Sequence, residues 1–464
     1  MNQCIRSIIT YIIFGVVIIV GYFMIDDFGI GLKFQEFFYL IINILICHDI
    51  KKYKGSYCEL ILVFLFLLFF FGGVRIVADL FGLGIENIRT SMFLDKLISE
   101  KSTLRTVFNE NIAVLGLGIG QFSYYVFFNK TSIIHKPLSI RINNLTFYGL
   151  LFVGLAAKMY TAALLFANLV TYGYHAMFSG DGGVSIPIYL RALQLIPIFI
   201  ILCKVAESKK WLYLLGFYLL LDLATGQRGF SALTAVAFVY YLTKLQILNL
   251  NIAKITVAVV IAMVVFIFMS NFRNEKATTL DDVVLNEFLW EQGTSINVLQ
   301  CSIEEAHNLD YSVKDLFGNV YSTFSKFDDT YNTEGKTTLE QTLHYKCWSK
   351  YISYHMNPSR YWAGLGMGGN YLGQLFVVGR EGFLFLVNFL IPFFLGFLEK
   401  KVFGKNPISV FFFFNVLLVF LYIPRDNLFQ FLTSAIEPAL VCLLLYLLLK
   451  LGIKRNNKLC VQRK

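Results

Sequence analysis

Five arginines stand where an apolar chain rarely places cations, in tight turns or at boundaries beside long hydrophobic runs. They are Arg228 in TGQRG, Arg273 in NFRNEK, Arg360 in NPSRYW, Arg380 in VGREGF and Arg425 in IPRDN. A guanidinium is a planar, permanently charged fork of donors that matches the oxygens of phosphate groups. An ion pair with a neighbour, or a side chain that reaches the membrane surface, would explain any single one of them. Five together favour a shared anionic ligand, so we take the first four as candidate catalytic residues and Arg425 as a candidate substrate-binding residue.

Aromatic side chains are concentrated in the same part of the chain, around HYKCWSKYISYH and RYW. An aromatic ring combines an apolar face with a polar edge, which suits the C–H faces of sugars. Trp348, Tyr361 and Trp362 are therefore candidate substrate-binding residues. The alternative is an aromatic belt at the membrane interface, which needs no ligand.

A reaction at a sugar hydroxyl would need a general base, and several titratable groups occur in this region. His355 and Glu381 are the candidates we place at the site, and His344 and Glu275 are alternatives. Histidine titrates closest to neutral pH, which suits this role. No motif singles out one of them.

Two further cations lie within apolar runs, where charges are costly and mark functional sites by default. Lys158 and Arg191 are closest to mid-span. They are candidate substrate-binding residues that would line a groove for a lipid head group. The alternative is pairing with carboxylates such as Asp222 and Glu437.

The composition identifies the class of protein that positions these residues. Of 464 residues, 57% are hydrophobic and 15% are charged, and the mean hydropathy is +0.63. Soluble domains carry about 25% charged residues, so the chain is an integral membrane protein. The net charge of +10 comes mostly from loops on one side of the membrane and does not indicate nucleic-acid binding.

Apolar runs of the length that crosses a bilayer, roughly 17–25 residues, predict an all-α fold with about 12 transmembrane helices. The runs are 7–25, 29–48, 58–78, 109–128, 144–168, 186–203, 211–225, 229–247, 255–270, 381–399, 407–423 and 428–449. Lys and Arg concentrate in alternate connections, which predicts that both termini are cytoplasmic. The predicted order is nine helices in 1–270, a partly helical periplasmic loop in 271–380, and three helices with a basic cytoplasmic tail in 381–464.

The long loop contains two of the eight cysteines, Cys301 and Cys347. A periplasmic position is oxidising, so a disulfide between them is one expectation. The alternative is two unpaired thiols in separate packed helices, because spacing alone does not test the geometry.

No cofactor or metal site is expected. The segment GLGMGG at 364–369 fits G-x-G-x-x-G, but it lies in a loop of a membrane protein and not after a strand that opens a βαβ unit. It is more typical of a tight glycine turn. The metalloprotease, paired C-x-x-C and EF-hand spacings do not occur in the sequence.

The layout resembles the bacterial O-antigen (oligosaccharide repeat-unit) polymerases of the Wzy type. The similarity covers roughly 140–430 and rests on many spans, a large outer loop before the last spans, the arginine turn TGQRG, and GLGMGGNYLGQLFVVGREGFLFL at 364–386. The resemblance implies a GT-C-like membrane glycosyltransferase of the inner membrane that acts without a nucleotide sugar or a metal ion. Its substrates would be undecaprenyl-diphosphate-linked oligosaccharides at the periplasmic face. Membrane lipid and a chain-length regulator protein would be its other partners.

The implied reaction transfers the growing chain from its lipid diphosphate to a hydroxyl of the incoming unit. Two other functions remain open at this point. One is O-antigen ligase, which uses the same donor with a different acceptor. The other is a flippase or transporter of lipid-linked oligosaccharides, although such proteins have repeated halves and binding residues at the midplane, and no internal repeat is evident.

Overall fold

All regular secondary structure in the computed structural model is helical, as the apolar runs predict. The structure describes residues 2–84, 86–91, 93–128, 138, 144–176, 186–225, 228–249, 254, 285–324, 339–362 and 366–461. The chain forms two compact units. The first comprises Met1–Ser132, Lys276–Phe397 and Phe420–Gln430, and the second comprises Ile133–Glu275, Leu398–Val419 and Phe431–Lys464.

The helices follow one another along the chain with short connections. They are α1 (Asn2–Met24), α2 (Phe28–Lys54), α3 (Leu60–Leu68), a π-helical turn (Phe69–Gly73), α4 (Val74–Leu80), α5 (Glu100–Phe128), α6 (Asn144–Ala176), α7 (Ile188–Leu193), α8 (Ile196–Lys204), α9 (Trp211–Ala224), α10 (Arg228–Lys244), α11 (Leu285–Gln292), α12 (Ser295–Glu304), a 3₁₀ turn (Val313–Phe317), α13 (Gly318–Phe324), α14 (Leu339–Tyr345), α15 (Trp348–Met356), α16 (Pro358–Trp362), α17 (Tyr371–Val402), α18 (Pro407–Phe420), a 3₁₀ turn (Ile423–Arg425), α19 (Gln430–Ser434) and α20 (Ile436–Val461).

Eight helical stretches among the described residues are long and apolar enough to cross a membrane. They are Asn2–Met24, Phe28–Lys54, Leu60–Leu80, Glu100–Phe128, Asn144–Thr171, Tyr371–Val402, Pro407–Arg425 and Gln430–Leu448. Each matches one of the predicted spans. The predicted run 186–203 is instead two short helices, α7 and α8, and the run 255–270 lies outside the described residues. The predicted count of twelve therefore stays a prediction.

In the first unit, α5 is the central element. α1 and α2 pack on it and on each other, and α12 packs on it from the predicted loop. Small residues bring α5 close to α17: a Cβ atom at Gly120 would lie 2.2 Å from the carbonyl oxygen of Phe389, and one at Gly116 would lie 2.9 Å from that of Phe385. Helices approach this closely where a Gly-x-x-x-Gly spacing removes the side chains. These glycines therefore fix α17 against α5.

The segment predicted as a long, partly helical loop is folded around a core of its own. Trp348, Tyr351 and Ile352 of α15 pack against Val298 of α12 and Val377 of α17. The last helix of this region, α17, begins at Tyr371 and so starts within the stretch predicted as loop. The loop core therefore rests directly on the helix that carries Arg380.

In the second unit, α6 packs on α7, α8 and α9, and α9 packs on α10. α7 also contacts α20. These helices carry Lys158, Arg191 and Arg228, three of the residues selected from the sequence.

Candidate functional site

Arg380 lies at a break within α17. Gly379 has φ −150° and ψ 23°, and Arg380 has φ 55° and ψ −155°, so the helix is interrupted between residue 378 and residue 381. The region near φ +60° with ψ near ±155° is essentially restricted to glycine and costs of order 1–3 kcal/mol for other residues. A strained residue of this kind marks a position whose side chain is held for a purpose.

The Arg380 guanidinium is held loosely by protein groups. Nη2 donates to the carbonyl oxygen of Ala306 at the long distance of 3.5 Å, and the guanidinium carbon lies 5.1 Å from the ring centroid of Phe376. Nη1 is buried and has no hydrogen-bond partner within the described ranges. A buried donor without a partner is costly. This cation therefore has donor capacity for an oxygen ligand.

A second guanidinium shares the Phe376 ring. Arg105 of α5 lies 4.8 Å from the ring centroid. Its Nε donates to Glu381 Oε1 at 2.7 Å, and its Nη2 lies at the same distance from that oxygen. Arg105, Phe376, Arg380 and Glu381 thus form one cluster, which we call the kink cluster. Its formal charge is +1, because Glu381 balances one of the two arginines.

The two other candidate arginines described in the first unit each have a different environment. Arg360 of α16 pairs with Asp95 at 3.0 Å on the surface. Arg425 donates through Nη1 to Gln292 Oε1 at 3.1 Å and lies 5.4 Å from the Phe71 ring centroid. Neither has a recorded contact with the kink cluster. The convergence of all five arginines stays a prediction.

The remaining two arginines are described only in part or not at all. Arg228 is the first residue of α10, so its backbone opens a helix directly after the TGQ turn. Its side chain lies outside the described atoms, and Arg273 lies outside the described residues.

Comparison with known protein families decides the class. The family model for "O-antigen polysaccharide polymerase Wzy" matches residues 5–457, which is nearly the whole chain. The chain belongs to this family. Searches of curated proteins and of solved structures gave no match.

Membership of the Wzy family supports an O-antigen polymerase role and a position in the bacterial inner membrane. It also implies a lipid-linked oligosaccharide substrate. The family match extends further along the chain than the 140–430 region on which the resemblance was recognised, and includes the first three helices and α5 with Arg105.

The Wzy-family chain buries one of the three aromatic residues selected for sugar binding. Trp348 is 1% exposed and packs edge-on against Tyr311, with ring centroids 4.9 Å apart. A ring with no exposed face offers nothing to a sugar, so the assignment of Trp348 to substrate binding is wrong. It belongs to the core of the predicted loop.

The other two aromatic residues lie at the surface. Trp362 is 58% exposed, and Tyr361 and Tyr354 pack beside it with centroids 5.3 and 6.3 Å from its ring. The Tyr361 hydroxyl is 2.7 Å from Thr342 Oγ1. We call Tyr354, Tyr361 and Trp362 the aromatic patch. It retains open ring faces on which a sugar could stack.

His355 is exposed at the end of α15, with Tyr351 4.5 Å from its ring centroid. Partial desolvation lowers the pKa of His355 from its ordinary 6.5, and this outweighs the opposing effect of the Glu305 carboxylate. The imidazole is therefore neutral at pH 7, the form that a general base requires. Glu305 directly precedes Ala306, whose carbonyl accepts from Arg380. One short turn thus connects His355 with the kink cluster.

Lys158 and Arg191, in the second unit, are both paired. Lys158 is buried, hydrogen-bonded to Asp222, and 4.1 Å from the Tyr218 ring centroid. Arg191 lies 3.2 Å from Glu437. These are the carboxylate partners that the sequence analysis offered as the alternative to a lipid groove.

The expected disulfide is not formed. Cys301 and Cys347 are both free and buried, Cys301 within α12 and Cys347 at the start of α15. Burial raises the pKa of both thiols. Packing in two separate helices, and not a covalent link, holds this region together. Within the described ranges, no three His, Cys, Asp or Glu side chains are grouped to hold a metal ion.

Proposed function

We propose that this chain joins undecaprenyl-diphosphate-linked oligosaccharide units at the periplasmic face of the inner membrane. It would transfer the growing chain from its lipid diphosphate to a hydroxyl of the incoming unit. The observation that carries the proposal is Arg380, a strained arginine at a helix break with a buried, unpartnered Nη1. Family membership supports the reaction class.

The reaction breaks the bond between the anomeric carbon and a diphosphate oxygen and forms a bond from that carbon to the acceptor oxygen. Negative charge develops on the departing diphosphate. A cation that is already oriented in a water-poor site stabilises such charge without reorganisation. Arg380 fits this task, because Nη1 has a donor to give and the Phe376 ring fixes the plane of the guanidinium.

The acceptor hydroxyl must lose its proton to a base. Glu381 is poorly suited, since its carboxylate is already bound by the Arg105 guanidinium at 2.7 Å. His355 is better suited, because its lowered pKa keeps the imidazole unprotonated at pH 7. We therefore assign His355 as the base and the neighbouring aromatic patch as the surface that holds the acceptor sugar.

The test is the lipopolysaccharide ladder of a deletion strain complemented with variants. Loss of a polymerase leaves a single repeat unit on the core, loss of a ligase leaves none, and loss of a flippase accumulates lipid-linked units at the cytoplasmic face. Arg380→Ala should give the single-unit pattern at normal protein level. The control is Arg89→Ala, another arginine in an ion pair, with Glu100 at 3.0 Å, which should restore the full ladder. A full ladder with Arg380→Ala would exclude the proposed site.

A further inference from the structure

Arg380 and Glu381 are adjacent in the sequence and opposite in charge, yet they are not paired. The Glu381 carboxylate accepts from Arg105, which is 276 residues away in the chain. Both Nε and Nη2 of Arg105 lie 2.7 Å from the same oxygen, Oε1. The only hydrogen bond recorded for the Arg380 guanidinium is the long one to the carbonyl oxygen of Ala306.

We propose that Arg105 is a positioning residue that sequesters Glu381 and so keeps Arg380 free for an anionic ligand. The inference rests on the proposed function, because the ligand it protects the site for is a lipid-linked diphosphate. A carboxylate next to Arg380 would otherwise compete with that ligand. It would occupy the donors of the guanidinium and cancel its charge.

The Phe376 ring explains how two like charges are tolerated so close together. Arg105 and Arg380 lie 4.8 and 5.1 Å from its centroid, and aromatic rings attract cations through their quadrupole. Glu381 neutralises one of the two guanidiniums. The cluster therefore holds a single net positive charge, and the arginine with an unpartnered nitrogen is Arg380.

The geometry of α5 supports this role. Gly116 and Gly120, about three and four turns along α5 from Arg105, bring the helix against the backbone of α17 at Phe385 and Phe389. Close packing of the two helices fixes the height of Arg105 relative to the break at Arg380. The side chain therefore reaches across to the neighbour of Arg380 without displacing Arg380 itself.

The experiment compares Arg105→Ala, Glu381→Gln and the double variant in membranes supplied with lipid-linked repeat units. Arg105→Ala releases Glu381 to pair with Arg380, so KM for the lipid-linked donor should rise at least tenfold with a smaller change in kcat. Glu381→Gln removes the competitor, so its loss should be smaller. The double variant should recover most of the activity lost in Arg105→Ala.

A purely structural ion pair gives a different pattern. The double variant would then be no better than Arg105→Ala, and Glu381→Gln would be as damaging as Arg105→Ala. Either result overturns the inference. Should Arg105→Ala fail to accumulate, Arg105→Lys with and without Glu381→Gln replaces it, since a lysine reaches the carboxylate with one nitrogen and holds it less firmly. The same recovery is expected there, and its absence counts against the role of Arg105.

Arg380→Ala separates this inference from the proposed function. If it retains the full ladder, the proposed site itself is wrong. If it is inactive while the double variant fails to recover, the site stands and the role assigned to Arg105 is wrong. Arg89→Ala, alone and with Glu100→Gln, is the matched surface pair and should leave KM for the donor unchanged.

Discussion

Arg380 and Phe376 are four residues apart on α17 and meet across the break in that helix, with the guanidinium carbon 5.1 Å from the ring centroid. A regular helix would place positions i and i+4 side by side on one face. Here the contact persists although Arg380 has φ 55° and ψ −155°. The ring and the strained backbone together hold one cation in place at the start of the final part of α17.

This strain leads to a prediction for Arg380→Gly. Glycine adopts the backbone conformation of Arg380 without a steric cost, whereas alanine does not. We expect both Arg380→Gly and Arg380→Ala to abolish polymer formation, because both remove the guanidinium. The glycine variant should be more stable than the alanine variant by about 1–3 kcal/mol, measured as thermal unfolding of the protein in detergent. Equal unfolding temperatures would show that the break stores no strain.

The shared ring predicts a specific effect of Phe376→Leu. Leucine keeps most of the apolar volume but removes the π face, and a cation–π contact contributes about 0.5–1 kcal/mol at exposed sites. The polymer yield should fall several-fold with normal protein levels, as judged by the lipopolysaccharide ladder. Phe385→Leu on the same helix, next to Phe389 and not to an arginine, should have little effect. Similar losses in both would point to packing as the cause.

Much of the fold could be predicted from the sequence, because a long apolar run has few alternatives to a membrane helix. Where a run contains a breaker, prediction failed. The run 186–203 contains Pro197, which lacks a backbone N–H and is accommodated at the first turn of a helix. The structure accordingly ends α7 at Leu193 and restarts at Ile196, with Pro197 in the first turn of α8.

The site was harder to predict, since its contacts join distant parts of the chain. Arg105 was assigned to a short outer connection, and its pairing with Glu381 depends on how α5 packs on α17. Trp348 and Trp362 share the same aromatic-rich composition, so the sequence could not tell which ring is buried. Packing against Tyr311 decides it for Trp348. A signal for Phe376 was present in its spacing of four from Arg380.

The buried pair in the second unit is expected to be structural. Removing one partner of a buried ion pair leaves an uncompensated charge and costs about 3–5 kcal/mol. Lys158→Met and Asp222→Leu should therefore each reduce the amount of folded protein, measured by size exclusion in detergent, and the double variant should recover it. A double variant that folds but does not polymerise would return Lys158 to the substrate site.

The two free thiols of the folded loop predict a pattern of chemical labelling. Cys301 and Cys347 are buried and their pKa values are raised, so neither should react with an alkylating reagent in the folded protein. After unfolding without a reductant, both should be modified, as judged by mass spectrometry of the peptides. Prior reduction should not increase the modification. A disulfide-linked pair of peptides would contradict the free state.

The last prediction concerns pH and follows from the lowered pKa of His355. As a base, the imidazole acts in its neutral form, so polymer formation in membrane vesicles should decline as the pH falls below the ordinary value of 6.5 and through the lowered pKa. The folded protein binds this proton less readily than the unfolded chain, so stability also falls as the pH drops below 6.5. His355→Gln should lower the rate and remove the pH dependence of kcat in this range. His307→Gln, at an exposed position, should keep the wild-type profile. An unchanged profile in His355→Gln would assign the base to another residue.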